Sequence, residues 1–177
     1  VLLLVLHIFS YGLVISRLGF YWDDWETILI TQKFPLSEFW AYFAGTRPLA
    51  AWTHILFGAL IGVKPIGWHL LSLLLRWLTS VAGWWSLSSL WPTKNWQVTA
   101  AMAVFSVYPL FIQQPIAVAY HQHWLAFAFF FVSAGLMLMA SQKGGKWQLL
   151  HISGVLACVG HLSILCLLYT SPSPRNR

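Results

Sequence analysis

Three stretches of the chain are apolar on every side of a helix, and each carries at most one charged residue: 1–20, 67–91 and 124–140. A surface helix of a soluble protein needs a polar face, whereas a helix surrounded by lipid does not. Only 8% of all residues are charged, against about 25% in an ordinary soluble domain. Because backbone groups in a bilayer must be hydrogen-bonded within the chain, these stretches predict α-helices. The expected fold class is an all-α, polytopic transmembrane helical bundle.

We predict about five spanning helices, with interfacial helices in a first outer loop. The predicted spans are 1–20, 67–91, 97–112, 124–140 and 149–165, and the loop is 21–47. The apolar stretch 48–62 would form a helix of roughly 22 Å, which is short for a hydrocarbon core of about 30 Å. If this stretch lies in the interface, Lys94, Lys143 and Lys146 fall on the cytoplasmic side, as the positive-inside rule favours. We therefore expect 48–62 to be interfacial or half-buried.

The two ends of the sequence suggest a piece of a longer protein. The chain begins inside an apolar run without a Met, and we expect residues 1–165 to be a transmembrane domain that is incomplete at both ends. Residues 166–177 resemble translated sequencing-adapter sequence, so we expect a non-native tail. A signal peptide is the alternative for 1–20, but this run has no basic leader and no small-residue cleavage site.

The net charge of +6 does not predict a nucleic-acid partner. The ten Lys and Arg residues are scattered singly through apolar sequence and form no basic stripe. Cys158 and Cys166 lie too far apart on one helical stretch to form a disulfide with each other, so they do not indicate a redox compartment. Membrane lipids are the expected surroundings, and we expect an integral, multi-pass protein of a bacterial plasma membrane.

All four acidic residues lie in the first loop, and three of them belong to the segment Tyr21-Trp22-Asp23-Asp24-Trp25-Glu26. A carboxylate that is partly desolvated beside a second carboxylate has a raised pKa, which suits a general base. The aromatic rings of Trp22 and Trp25 could stack on a sugar. The alternative is that the acids only keep this loop solvated on the outside.

The order of several short motifs resembles the N-terminal part of the GT-C superfamily of membrane glycosyltransferases. These motifs are the paired acids, Arg47-Pro48-Leu49, the stretch from Trp68-His69 to Arg76, and Tyr108-Pro109. That superfamily includes protein O-mannosyltransferases, the aminoarabinose transferase and oligosaccharyltransferase catalytic subunits.

The resemblance implies a sugar donor linked to polyprenyl phosphate and an acceptor hydroxyl or amine on the outer face. It also implies that Asp23 or Asp24 is the catalytic base, without choosing between them. Glu26, in the same acidic segment, is a candidate for substrate binding. Arg47 would contact the donor phosphate, since a planar guanidinium presents several N–H donors that match the phosphate oxygens. The alternative for Arg47 is a side chain that snorkels to the interface.

A second polar patch, Tyr120-His121-Gln122-His123, departs from the superfamily pattern, in which an Arg and often an acid are usual. Tyr120, His121 and His123 are therefore candidates for substrate binding, through phosphate or through a divalent metal shared with the acids. The two histidines would share one face only in an extended segment. The cofactor stays unknown, with a divalent metal as one possibility and ordinary interfacial histidines as the alternative.

Three further side chains have structural interpretations. His54 and His69 are expected to pack within the bundle as polar links between helices. Arg76 lies in the middle of a predicted span, where a charge needs a partner or a cavity, so it faces either the bundle or the donor lipid.

Two other functions compete with glycosyl transfer. One is a non-enzymatic polytopic protein: a transporter, a flippase or an assembly subunit. A transporter would more often carry ionisable groups within its spans and repeated broken helices, and few of either are present. The other is a catalytically inactive relative of the glycosyltransferases.

Overall fold

A computed structural model describes residues 1–44, 48–108, 115–143 and 152–156, and every regular element in these ranges is helical. The elements are α1 (Leu2–Tyr11, continued by a 3₁₀ helix over Gly12–Arg17), α2 (Asp23–Lys33), α3 (Leu36–Ala44), α4 (Pro48–Ile61), α5 (Pro65–Leu90), α6 (Asn95–Ser106) and α7 (Ala117–Lys143). The all-helical prediction is confirmed for the described part of the chain.

Two helices, α5 and α7, are long and apolar enough to cross a membrane. In their most apolar windows only 39% and 28% of the residues are buried inside the chain. The core helix of a soluble protein is mostly buried, whereas most residues in these two windows are not. These two helices coincide with the spans predicted at 67–91 and 124–140.

The other predicted spans are shorter or fall outside the described residues. The α-helical part of the first predicted span has 10 residues, because the chain tightens into a 3₁₀ helix at Gly12. The helix α6 has 12 residues and ends at Ser106, ahead of Tyr108-Pro109, where proline disfavours helical geometry at the preceding residue. Of the span predicted at 149–165, only 152–156 is described, as a short helical piece.

A tight turn joins α4 to α5. Gly62 has a φ of 63° and its N–H donates to the Gly58 carbonyl at 2.8 Å, which is the usual way for a helix to end at a glycine. The indole Nε1 of Trp68 donates back to the Gly62 carbonyl at 2.8 Å. Among the described residues, α4 then packs against α3 and the start of α7, with little contact along α5 beyond the turn.

The centre of the fold is the contact between α5 and α7. Gly135 of α7 lies against the ring of Trp85, so closely that a Cβ at this position would clash with the ring. The hydroxyl of Thr79 lies 2.8 Å from the carbonyls of both Leu75 and Trp124, and so links the two helices. Small residues and single polar links of this kind let apolar helices approach each other closely.

Arg76 faces the bundle. Its guanidinium lies 4.3 Å from the ring centre of Tyr11 and 4.2 Å from that of Trp124, and only 3% of the residue is exposed. Cation–π contact with two rings stabilises a charge where water is excluded. This geometry supports the structural interpretation of Arg76.

Histidines and serines supply further polar contacts between helices. Ser80 of α5 lies 2.8 Å from the hydroxyl of Ser106 in α6 and 3.4 Å from Nε2 of His7 in α1. The Nε2 of His69 lies 2.9 Å from the Gly19 carbonyl. His69 therefore ties α5 to the segment before α2, which fits its predicted packing role.

Candidate functional site: a polar cavity at the start of α2

The helix α2 begins from a strained turn. Trp22 has a φ of 48° and a ψ of −117°, and the Asp24 N–H donates to the Tyr21 carbonyl at 3.0 Å. These angles match the first central position of a type II′ turn, which normally holds glycine. Holding a tryptophan there costs on the order of 1–3 kcal/mol, and strain of this size is concentrated at functional sites. The turn places Asp23 and Asp24 in different surroundings.

Asp24 caps the N-terminus of α7. Its Oδ1 accepts hydrogen bonds from the N–H groups of Val118 at 2.8 Å and Ala119 at 2.9 Å, and its Oδ2 accepts from Ala117 at 3.0 Å. These N–H groups have no partner within their own helix, and the positive end of the helix dipole attracts a carboxylate. The residue is fully buried. Burial raises the pKa of Asp24 to about 6, although the three hydrogen bonds act in the opposite direction.

Asp23 lines a polar cavity of about 300 Å³ between α2, α3, α4 and α7. The lining residues are Asp23, Glu26, Thr27, Tyr42, Phe43, His54, Ala119 and Gln122. The hydroxyl of Tyr42 donates to Oε1 of Glu26 at 2.8 Å, which fixes that carboxylate at the wall. Of the two candidate bases, Asp23 is the one that lines the cavity.

Gln122 was not among the residues predicted from the sequence. It is 2% exposed, its Nε2 donates to the Ala119 carbonyl at 2.8 Å, and its Oε1 accepts no hydrogen bond from the described residues. A primary amide beside a long apolar stretch was the signal in the sequence that could have identified Gln122. The candidates chosen from this patch were instead Tyr120 and the two histidines. Gln122 brings α7 into the same cavity as the acids of α2.

The second polar patch is helical and not extended. α7 begins at Ala117, ahead of the start predicted at 124, because Asp24 satisfies its first N–H groups. On a helix, His121 and His123 point about 200° apart and cannot act together. His121 is fully buried, with Nδ1 2.7 Å from the Val118 carbonyl and Nε2 3.0 Å from the Thr53 hydroxyl.

The other predicted site residues do not line the cavity. Tyr120 and His123 stack on each other with ring centres 4.7 Å apart. Trp22 and Trp25 are 83% and 60% exposed, so both rings are accessible beside Asp23. Arg47 lies outside the described residues. Within the described ranges, no three His, Cys, Asp or Glu side chains lie close enough together to hold a metal ion.

An apolar groove adjoins the polar cavity. It has a volume of about 440 Å³ and runs between α2, α3 and α4, with Ile28, Phe39, Ile55 and Trp68 in its walls. His54 lines both spaces and stacks on Phe43 with ring centres 5.0 Å apart. A polar space and an apolar space that meet at one side chain suit an amphipathic ligand.

No protein-family model, curated protein or solved structure matched the chain. What the site can do therefore follows from its side chains. An accessible carboxylate beside a second carboxylate, in a cavity next to an apolar groove, can accept a proton from a polar ligand that carries an apolar chain.

Proposed function

We propose that the chain belongs to a multi-pass membrane glycosyltransferase of the GT-C type, with Asp23 as its catalytic base. The observation that carries the proposal is the separation of the two aspartates. Asp24 is buried and bound by three backbone N–H groups, whereas Asp23 lines a cavity with Glu26. A base must reach the proton that it removes, and Asp23 alone of the pair meets this requirement.

The proposed reaction transfers a sugar from polyprenyl phosphate to an acceptor hydroxyl or amine. Asp23 accepts the proton while the acceptor oxygen or nitrogen forms a bond to the anomeric carbon of the sugar. The bond between that carbon and the phosphate oxygen breaks, and polyprenyl phosphate leaves with the electron pair. General-base assistance of this kind contributes a factor of about 10²–10⁴ to the rate.

The groove next to the cavity supports a lipid-linked donor. Its apolar walls fit a hydrocarbon chain, and His54 marks the boundary with the polar cavity. Arg47 remains the proposed contact for the donor phosphate, and the exposed rings of Trp22 and Trp25 remain proposed stacking surfaces for the sugar. Tyr120, His121 and His123 would then act by shaping the start of α7.

The proposed membrane arrangement keeps the acids on the outer face of a bacterial plasma membrane. α5 and α7 cross, and α6 crosses between them within the span predicted at 97–112. α1 with its 3₁₀ extension has a length of roughly 27 Å, close to the thickness of the hydrocarbon core. Two crossing helices joined by a tight turn would pack along each other, but α4 packs on α3 and α7. This packing favours an interfacial α4.

The test uses the full-length protein and a radiolabelled sugar on polyprenyl phosphate. We expect Asp23→Asn to lower turnover about a hundredfold or more without a change in thermal unfolding. The matched control is Glu38→Gln, which removes an exposed carboxylate of α3 that does not line the cavity. Unchanged turnover in Asp23→Asn would refute the catalytic assignment, and donor binding without transfer in the wild type would favour a flippase or carrier.

A further inference from the structure

A small apolar pocket lies where α5 ends and α6 begins. It has a volume of about 200 Å³, and its lining residues are Leu87, Trp91, Lys94, Gln97, Val98 and Ala101. Pockets for drug-sized ligands usually have volumes of about 300–1,000 Å³. This pocket is smaller, and its walls are apolar apart from one cation and one amide, so it suits a segment of a single hydrocarbon chain.

The length of α5 separates this pocket from the acidic residues. Trp68, in the first turn of α5, belongs to one core cluster with Ile28 of α2 and Ala117 of α7. Leu87 lies 19 residues after Trp68 in the same helix, which corresponds to roughly 28 Å. Exposed charges are largely screened beyond about 8 Å at physiological salt, so the acids of α2 do not neutralise a charge at this pocket.

Lys94 gives this end of the bundle a positive charge that the sequence does not neutralise. The residue is exposed, and no carboxylate side chain follows Glu38 anywhere in the sequence. Gln142, in the last turn of α7, donates to the Ser89 carbonyl at 2.9 Å, so α7 carries Lys143 to the same end. A ligand with an anionic group is therefore complementary to this end of the bundle.

Two tryptophans place Lys94 at the depth of the lipid headgroups. Trp91 and Trp96 lie on either side of it in the sequence and are 47% and 73% exposed. Exposed tryptophan rings in membrane proteins are concentrated where the hydrocarbon meets the headgroups. The Lys94 N–H donates to the Trp91 carbonyl at 3.1 Å, which closes a turn with Pro92 at its second position and fixes the backbone of Lys94 beside the pocket.

We propose that this pocket binds an anionic phospholipid, with the lipid phosphate on Lys94 and one acyl chain along Leu87 and Ala101. A phosphate joined to a hydrocarbon chain matches a cation at headgroup depth above apolar walls, whereas a free phosphate would leave those walls uncovered. In the proposed membrane arrangement the lipid belongs to the cytoplasmic leaflet, whose anionic lipids attract lysines. The inference goes beyond the proposed glycosyl transfer and does not depend on it.

The test measures lipid binding to the full-length protein in detergent by native mass spectrometry. Dioleoyl phosphatidylglycerol and dioleoyl phosphatidylcholine form a matched pair, since they share their acyl chains and differ in net charge. We expect phosphatidylglycerol to bind about fivefold more tightly or better, the factor that corresponds to one lysine at an anionic lipid. Glycerol 3-phosphate, which has the anionic group without the chains, should not compete with it.

Lys94→Gln should remove this preference by weakening the binding of phosphatidylglycerol about fivefold, with no change for phosphatidylcholine. The matched control is Lys64→Gln. Lys64 is also an exposed lysine at the N-cap of a helix, but it does not line the pocket, so the affinity should stay unchanged.

A third variant tests the apolar walls without a change of charge. Ala101 is exposed at the pocket, so Ala101→Phe can fill the space from the surface and should weaken the binding of phosphatidylglycerol severalfold. Ala101→Leu is the second variant if the first fails to fold.

Four results would overturn the lipid site. They are equal binding of the two lipids by the wild type, equal effects of Lys94→Gln and Lys64→Gln, wild-type affinity in the folded Ala101 variant, and displacement of phosphatidylglycerol by glycerol 3-phosphate. The last result would show a site for the anionic group alone.

Discussion

Two neighbouring residues of the same type have different surroundings at the start of α2. Asp23 is exposed at a cavity, and Asp24 is buried against the backbone of α7. The difference arises because successive residues on a helix point about 100° apart and because the turn at Trp22 fixes where the helix begins. Substitutions at the two positions should therefore have different kinds of effect.

The pH dependence of stability tests the role of Asp24. Burial raises its pKa to about 6, so between about pH 4 and pH 6 the folded protein holds a proton that the unfolded chain has released. The stabilisation linked to this proton is present below about pH 4 and is lost as the pH rises through 6. We expect the Tm in detergent to fall between pH 5 and pH 7, and to fall less in Asp24→Asn.

Glu38→Gln is the control, because its carboxylate is exposed and accepts none of the hydrogen bonds from α7. It should keep the wild-type dependence of Tm on pH. An Asp24→Asn protein with the same dependence as the wild type would show that this carboxyl group does not titrate in the fold.

The sequence predicted an acidic candidate site but did not distinguish its members. The cluster of Asp23, Asp24 and Glu26 beside an apolar run was sufficient for that prediction. The choice between the aspartates and the involvement of Gln122 depend on contacts between α2 and a helix more than 90 residues later in the sequence. No local pattern encodes such a contact, so these assignments required the structure.

At the scale of the elements, some helix boundaries could be predicted from proline and glycine, and others depend on tertiary contacts. The break between α4 and α5 was predictable, because Gly62 and Pro65 end one helix and begin the next. The start of α7 was placed too late, because the polarity of Tyr120 to His123 suggested a loop. The cap from Asp24 makes a helix favourable there in spite of that polarity.

The close contact between α5 and α7 predicts that one added methyl group lowers the stability of the fold. Gly135→Ala would place a Cβ against the Trp85 ring, and overpacking of this kind costs about 1–3 kcal/mol. We expect a lower Tm by circular dichroism in detergent. Gly58→Ala is the matched control, because a Cβ at Gly58 meets no atom within 4 Å and alanine favours a helix. Equal Tm values in the two variants would contradict the close packing.

At the scale of the whole molecule, the polar cavity lies at the end of the α5–α7 pair where α7 begins. The start of α7 contacts α2, and α4 contacts both α3 and α7, so the short helices α2, α3 and α4 gather where α7 begins. The cavity and its adjoining groove lie among these short helices. The proposed arrangement places this end on the outer face of the membrane.

Labelling of single cysteines in intact cells tests that arrangement. In a background with Cys158 and Cys166 replaced by serine, we expect Lys64→Cys and Tyr108→Cys to react with an impermeant reagent, and Lys94→Cys to be protected. All three native side chains are exposed, so protection would report the side of the membrane. His121 is buried and would be a poor probe on either side. Labelling of Lys94→Cys with protection of Tyr108→Cys would refute the arrangement.

The cap on α7 also sets an order of events during synthesis. Asp24 leaves the ribosome more than 90 residues before the N–H groups that bind it, so its carboxylate stays in water until α7 has been made. Ala119 and Gln122 reach the cavity in the same step, since both belong to α7. An unfinished chain therefore has the acids of α2 but not the cavity that they line together with α7. The candidate site of a nascent chain stays incomplete until α7 is in place.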